Sequence, residues 1–209
     1  MMKLKTLLVA TATAFTMASA FAAPAGTWSL GVGAGYVMPD SDNGSVLDGA
    51  LEVDVDGDVR PTITAEYFVA DNFGIELLAA TPFKHDISLS DADGNVIDAR
   101  TKHLPPTLSL QYHFDGADMP VKPFIGVGVN YTTFFDERIY LANGNDLDLD
   151  DSVGVAGHVG VDIPFSASEA VRVDARYIDL ESDVKLNDQD IGTAEINPWV
   201  FGVSYVKNF

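Results

Sequence analysis

All four histidines of this chain stand near groups with which they would do chemistry at the right distance. His103, Ser109 and His113 share one face of the stretch HLPPTLSLQYHF, His85 adjoins Asp86, and His158 precedes Asp162 by four positions. A serine nucleophile needs its base within hydrogen-bond reach. In extended backbone the six residues from His103 to Ser109 span about 20 Å, so that pair cannot pass a proton. The other two are isolated pairs of the kind that packs a core or lines a rim, and the chain is not expected to be an enzyme. Three acidic stretches, DVDGD (Asp54 to Asp58), DADGN (Asp91 to Asn95) and DLDLDD (Asp146 to Asp151), have the carboxylate density of calcium loops. The first two lack the glycine at the sixth position and the glutamate at the twelfth that the helix-flanked loop requires, so no metal site is assigned. They read as solvated, flexible loops. With no cysteine, disulfides, thiolate chemistry and cysteine-ligated metals are excluded, and no cofactor is expected.

What positions these residues is a repeated alternation of apolar and polar side chains, the period of a β-strand. Eight runs carry it: Thr27 to Met38, Arg60 to Val69, Gly74 to Phe83, His103 to Phe114, Val121 to Phe135, Asp151 to Ile163, Ala170 to Ile178 and Glu195 to Phe209. In the first, Trp28, Leu30, Val32, Ala34, Tyr36 and Met38 oppose Ser29, Gly31, Gly33 and Gly35; in the seventh, Val171, Val173, Ala175 and Tyr177 oppose Arg172, Asp174 and Arg176. The even runs are followed by the short segments ADNF, DGADMP and PFSASE, the odd runs by long acidic ones. An even count of strands, short turns at one rim and long loops at the other predict an eight-stranded antiparallel transmembrane β-barrel, with short periplasmic turns and long acidic external loops. A water-soluble barrel would invert the faces and bury the Arg172–Asp174–Arg176 triplet in an apolar lumen.

The N-terminus agrees with export. Lys3 and Lys5 precede an uncharged segment from Thr6 to Met17, and small residues frame Ala20-Phe21-Ala22, as in a secretory signal cleaved near Ala23. The competing reading, an uncleaved anchor, has an apolar core short of the roughly 20 residues of a span. The expected organisation is therefore a signal peptide over 1–22 and one barrel domain over 23–209. The 209 residues carry 12 Lys and Arg against 31 Asp and Glu, a formal charge of −19, which excludes a nucleic-acid partner bound through phosphates.

The segments GIELLAATPFKHDI (Gly74 to Ile87), LPPTLSLQYHF (Leu104 to Phe114), KPFIGVGVNYTTFF (Lys122 to Phe135) and DARYIDLESDV (Asp174 to Val184), with the terminal Phe209, carry a more specific likeness. From about Trp28 to Phe209 the chain resembles the outer membrane protein W family. That resemblance implies residence in the bacterial outer membrane and a narrow hydrophobic channel through the external part of the barrel. It also implies passage of small hydrophobic solutes, alkanes in some members, with sideways release above a charged block. Eight strands leave an interior that side chains fill or that holds one small ligand, which fits a block. Glu66, Glu76, Gln111, His113, Asp162, Arg172, Asp174 and Arg176 fall on the inward parity and are the expected polar plug of the periplasmic half, with the arginines paired to the carboxylates. Phe83, Leu104, Phe134 and Phe135 are the candidate apolar channel wall. Pro82, Pro105 and Pro106 remove ladder donors inside a closed barrel and mark the candidate lateral opening. Gly31, Gly33, Gly35, Gly126 and Gly128 allow two readings, close backbone packing or a shaped cavity. The expected partners are outer-membrane lipids, lipopolysaccharide, small hydrophobic solutes and, through Phe209, the barrel assembly machinery, although Lys207 stands where an apolar residue is usual. Two further readings stay open: divalent cations bridging the acidic loops to lipopolysaccharide phosphates, and a structural or interaction barrel that binds partners through its loops, such as Pro39 to Asp58, without transport.

Overall fold

The computed structural model of the chain describes residues 24–114, 119–140 and 146–209, so the expected signal peptide lies outside the described residues. Fifteen strands run through them: β1 (Trp28–Met38), β2 (Ser45–Val46), β3 (Leu51–Val55), β4 (Asp58–Ala70), β5 (Phe73–Ala80), β6 (Phe83–Ser90), β7 (Val96–Leu104), β8 (Thr107–His113), β9 (Lys122–Ile139), β10 (Leu147–Leu149), β11 (Ser152–Pro164), β12 (Glu169–Ile178), β13 (Glu181–Leu186), β14 (Gln189–Glu195) and β15 (Trp199–Asn208). Eight of them, β1, β4, β5, β8, β9, β11, β12 and β15, form an antiparallel barrel in which each pairs with the next along the chain. The first and last strands pair, β15 with β1 from Ser29↔Asn208 to Met38↔Trp199, and the pairing of β8 with β9 from Thr107↔Asn130 to His113↔Phe124 completes the ring. Closure leaves the barrel no free edge along those ladders.

Alternation sets which residues face out, and a one-residue slip would exchange the faces. The outward face is apolar. Val153 is 70% exposed and Val32 62%, while Glu66, Glu76, Asp162, Arg172 and Arg176 are buried inside. That inversion of a soluble barrel suits hydrocarbon as the surrounding solvent. Aromatic rings bound the belt at both rims: Trp28 against Tyr67 and Phe73 against Tyr112 on the short-turn side, Tyr177 against Trp199 on the long-loop side. Amphipathic rings of this kind sit at the headgroup level of a bilayer.

The long loops depart from expectation, because they are not merely solvated. They fold into β2, β3, β6, β7, β10, β13 and β14, which extend the sheet above the barrel in the order β10-β13-β14-β2-β3-β6-β7-β9. Their acidic residues alternate with apolar ones, so in LEVDV the buried Val53 and Val55 point in and Glu52 and Asp54 point out. Asn187 and Asp188, both at positive φ, close the β13–β14 hairpin, the backbone of a type I′ turn. Asn43, fully buried, ties this extension together by donating to the Glu195 carbonyl at 3.0 Å and accepting from the Val55 N–H at 3.1 Å. The prolines also split two expected runs. The run from Gly74 ends at Ala80 and Phe83 opens β6, while His103 and Leu104 belong to β7 and β8 begins at Thr107.

Candidate functional site

In the lower barrel, cross-strand register sets charged side chains face to face. Asp162 on β11 pairs directly with Arg172 on β12, and Glu66 on β4 stands opposite Glu76 on β5. Two carboxylates in direct opposition repel. Arg172 resolves that repulsion by reaching across the lumen: its Nε and Nη2 donate to Asp162 at 2.7 and 3.0 Å, Nη1 donates to Glu76 at 2.7 Å, and Nη2 lies 3.4 Å from Glu66. The Phe124 ring lies 4.4 Å from the same guanidinium carbon. Arg176 donates to Glu76 at 2.8 Å, and His113 Nε2 donates to Glu66 at 2.7 Å. His158, read from the sequence as an isolated pair with Asp162, instead joins this network through Asp174 and Gln111, each at 3.0 Å. Its Nδ1 accepts from the Gln111 amide, so its Nε2–H donates to Asp174. Its parity, shared with Asp162, is the signal that could have placed it here. The residual space beside Arg172, Arg176 and His158 is about 20 Å³, room for one water and no solute.

Above this plug a layer of buried polar groups supports the double proline. Asn130 Nδ2 lies 3.2 Å from the Pro105 carbonyl and 3.3 Å from that of Pro106, and its Oδ1 accepts from Thr132 at 2.7 Å. The Tyr131 N–H donates to the Pro106 carbonyl at 3.0 Å. On the far side of the prolines the wall changes. The β5–β8 ladder ends at Leu78↔Thr107 and the β6–β7 ladder begins at Phe83↔His103. Between them Ala79 and Ala80 pair outward to β4, Thr81 N–H donates to the Pro61 carbonyl, and Leu104 pairs with Thr133 on β9. Residues 79–82 and 104–106 thus form two lips, each tied to its outer neighbour and unpaired with the other. Pro82 and Pro105 lie one on each lip.

Above this seam the extension encloses a cavity of about 40 Å³ whose wall includes Val55, Ile87, Ala99, Phe134, Leu149 and Ile196. Among the described residues, His85 and Thr101 are the wall positions of polar type. Phe134 lines this cavity, and Phe83 is buried beside it, stacked on His103 at 5.4 Å. Leu104 and Phe135 are not wall residues: both take the outward parity of β7 and β9, opposite to the buried His103 and Phe134. Most of the wall comes instead from the acidic loop segments, where the signal was the alternation within LEVDV and DLDL. Burial pushes the His85 imidazole below its ordinary range.

The acidic stretches have local structural partners. In DADGN the Asp91 carboxylate accepts from the N–H groups of Asp93 and Asn95, closing the β6–β7 hairpin, and in DVDGD Asp58 accepts from Arg60 at 2.7 Å and from the Lys84 N–H at 2.8 Å. Among the described residues no group of three or more His, Cys, Asp or Glu is placed to hold a metal ion. The glycine question resolves by position. A Cβ on Gly128 would lie 2.5 Å from the Leu108 carbonyl oxygen, which requires close backbone approach, whereas Gly35 borders the small space beside the plug.

The sequence model of the OmpW family matches residues 24–209. Outer membrane protein W of Vibrio cholerae is 37% identical over 200 residues, 91% of this chain and 92% of that protein. The crystal structure of the outer membrane protein OprG from Pseudomonas aeruginosa superposes with a TM-score of 0.79 at 32% identity, covering 90% of this chain and 98% of that one. A Pseudomonas aeruginosa protein named dibenzothiophene metabolism operon protein PahQ is 27% identical over 174 residues, 81% of each chain.

Proposed function

The chain belongs to the OmpW family, and from that membership we propose that it is a passive channel for small hydrophobic molecules that enter from outside and leave sideways into the bilayer. It is an eight-stranded barrel of the bacterial outer membrane, and its apolar belt lies against membrane lipid. The observation that carries the proposal is vertical order: an apolar cavity above, an unpaired seam at its base, and an ion-paired plug below. A solute in the cavity meets fixed charges towards the periplasm, which an apolar molecule gains nothing by displacing. The seam between Pro82 and Pro105 offers it hydrocarbon instead. The relative named for a dibenzothiophene metabolism operon fits this reading, since dibenzothiophene is a small apolar molecule. Export through a cleaved leader over 1–22, recognition of Phe209 by the barrel assembly machinery, and contact of the acidic rim with lipopolysaccharide belong to the same proposal.

The test is uptake of a fluorescent hydrophobic probe into vesicles whose outer leaflet carries lipopolysaccharide. Ala99, 2% exposed on the cavity wall, is replaced by Trp to fill the cavity. An indole in place of this methyl overpacks the wall, so folding is checked separately. Ala99→Trp is expected to cut uptake to the protein-free level. Equal uptake with and without the wild-type protein would overturn the channel reading in favour of a barrel that works only through its surface. Deleting Pro39 to Asp58 does not separate the two readings, because β2 and β3 supply Val46, Val53 and Val55 to the cavity wall.

A further inference from the structure

A chain this acidic gathers part of its positive charge on one outward face. Of its 12 Lys and Arg, Lys3 and Lys5 fall in the expected leader, and four of the remaining ten stand together on β6, β7 and β9 just above the seam. His85, Thr101 and His103 are buried, so Lys84, Arg100 and Lys102, on the opposite parity, point outward. Asp136, at a φ of 59°, sits where β9 slips against β7, and beyond it the exposed Arg138 faces Arg100. Register thus sets like charges side by side: Lys84 is the direct partner of Lys102, and Arg100 of Arg138. Like charges in direct opposition destabilise a sheet. Asp86 accepts from Arg100 at 2.6 Å, and Asp136 accepts from Lys102 at 2.7 Å and from Arg138 at 3.0 Å. Among the described residues Lys84 makes no ion pair, so the two carboxylates leave the four cations in surplus.

The sector differs from the rest of the long-loop rim. Past the apolar belt the first exposed charge is acidic after β1, before β11 and after β12, at Asp40, Asp151 and Asp179. On β6 and β7 it is Lys84 and Lys102, and the acidic Asp54 and Asp98 lie further from the belt. Leu104, one outward step below Lys102, and Phe135, its direct partner on β9, put apolar surface beside the ammonium groups.

We propose that this sector is a docking surface for lipopolysaccharide, the phosphorylated glycolipid of the outer leaflet. One phosphate lies between Lys84 and Lys102, a second is forked by Arg100 and Arg138, and acyl chains run down over Leu104 and Leu108. A phosphate between like-charged partners turns their repulsion into attraction, and the solvent-exposed ion pairs to Asp86 and Asp136 are weak competitors for it. Basic clusters at the headgroup level of a bilayer recognise anionic lipids in this way. The inference rests on the lipopolysaccharide contact proposed above and gives that contact a direct basic site; it is independent of the channel.

The experiment uses the full-length mature protein in non-ionic detergent, titrated with bisphosphorylated lipid A and with its dephosphorylated form, and read by native mass spectrometry with EDTA present. The phosphorylated form is expected to bind about tenfold more tightly. Lys84→Gln with Lys102→Gln is expected to abolish that difference, whereas Lys185→Gln with Lys207→Gln, which removes the same charge elsewhere, is expected to preserve it. Both lysines of the first pair are outward and like-charged, so their loss is expected to leave the heat-dependent gel mobility of the folded barrel unchanged. Equal binding of the two forms by the wild type, or an undiminished difference in the Lys84/Lys102 variant, overturns the basic site. Binding of the phosphorylated form that appears only when calcium replaces EDTA also overturns it, in favour of cations bridging the acidic rim. Failure of the wild type to bind either form with or without calcium overturns the lipopolysaccharide contact itself. The wild-type outcomes hold whether or not the variants fold.

Discussion

Arg172 is the residue on which the lower barrel turns. Its guanidinium meets three buried carboxylates and an aromatic face, so each donor points at an acceptor already held in place by a strand. A buried ion pair contributes little against an apolar substitute, but removing one member strands the others. Arg172→Ala is therefore expected to destabilise the folded barrel by about 3–5 kcal/mol, read as a fall in the urea midpoint of detergent-solubilised protein. Arg172→Lys is expected to recover only part of that loss, since a compact ammonium cannot fork between Asp162, Glu66 and Glu76 as a planar guanidinium does. The histidines divide by the same logic. His113 and His158 are spent on the ion-paired network, whereas His85, held through Nδ1 by the Asp56 carbonyl, and His103 sit among apolar side chains.

At the scale of elements the three prolines are not equivalent. In an antiparallel strand successive residues turn their N–H and C=O to alternate neighbours. Pro106 gives its carbonyl to Tyr131, so the donor it lacks is owed to β9 rather than to the seam. Thr81 donates to β4, so Pro82, next in line, faces the seam, whereas the Pro105 carbonyl is held by the Asn130 amide. Pro82→Val combined with Pro105→Val is expected to restore donors on both lips, slow release of the hydrophobic probe, and give the new amides protection from hydrogen exchange. Pro106→Val is expected to strengthen the β8–β9 ladder and leave release unchanged. Unchanged release in the double variant, with its amides protected, would remove the seam from the mechanism.

Across the whole molecule, barrel and cavity have separate supports. The barrel closes through β8–β9 and β15–β1, while the cavity depends on seven short strands stacked above it. Leu147→Asp together with Leu149→Asp would place charges on the cavity wall without touching a barrel ladder. Probe uptake is expected to fall to background while the heat-dependent gel mobility of the folded barrel is kept; loss of both would show that the two parts fold as one. Alternation with period two, written eight times, was enough to read the barrel, its belt and the inward charges of Glu66, Arg172 and Asp162 from the sequence. It placed Pro82, Pro105 and Pro106 as breaks in pairing because the absence of an N–H is covalent. It did not reveal that the acidic loops are strands: LEVDV and DLDL alternate, but runs as short as Ser45–Val46 and Leu147–Leu149 are too brief for that alternation to be told from a loop. Nor did it place Leu104 and Phe135, because apolar character does not tell lumen from lipid when both are apolar. The sequence alone determined which residues alternate, and hence a barrel in a membrane. The tertiary structure decided what lies opposite what: cross-strand register brings His85 to Thr101 and Arg172 to its carboxylates, and register between distant strands is set by closure of the whole ring.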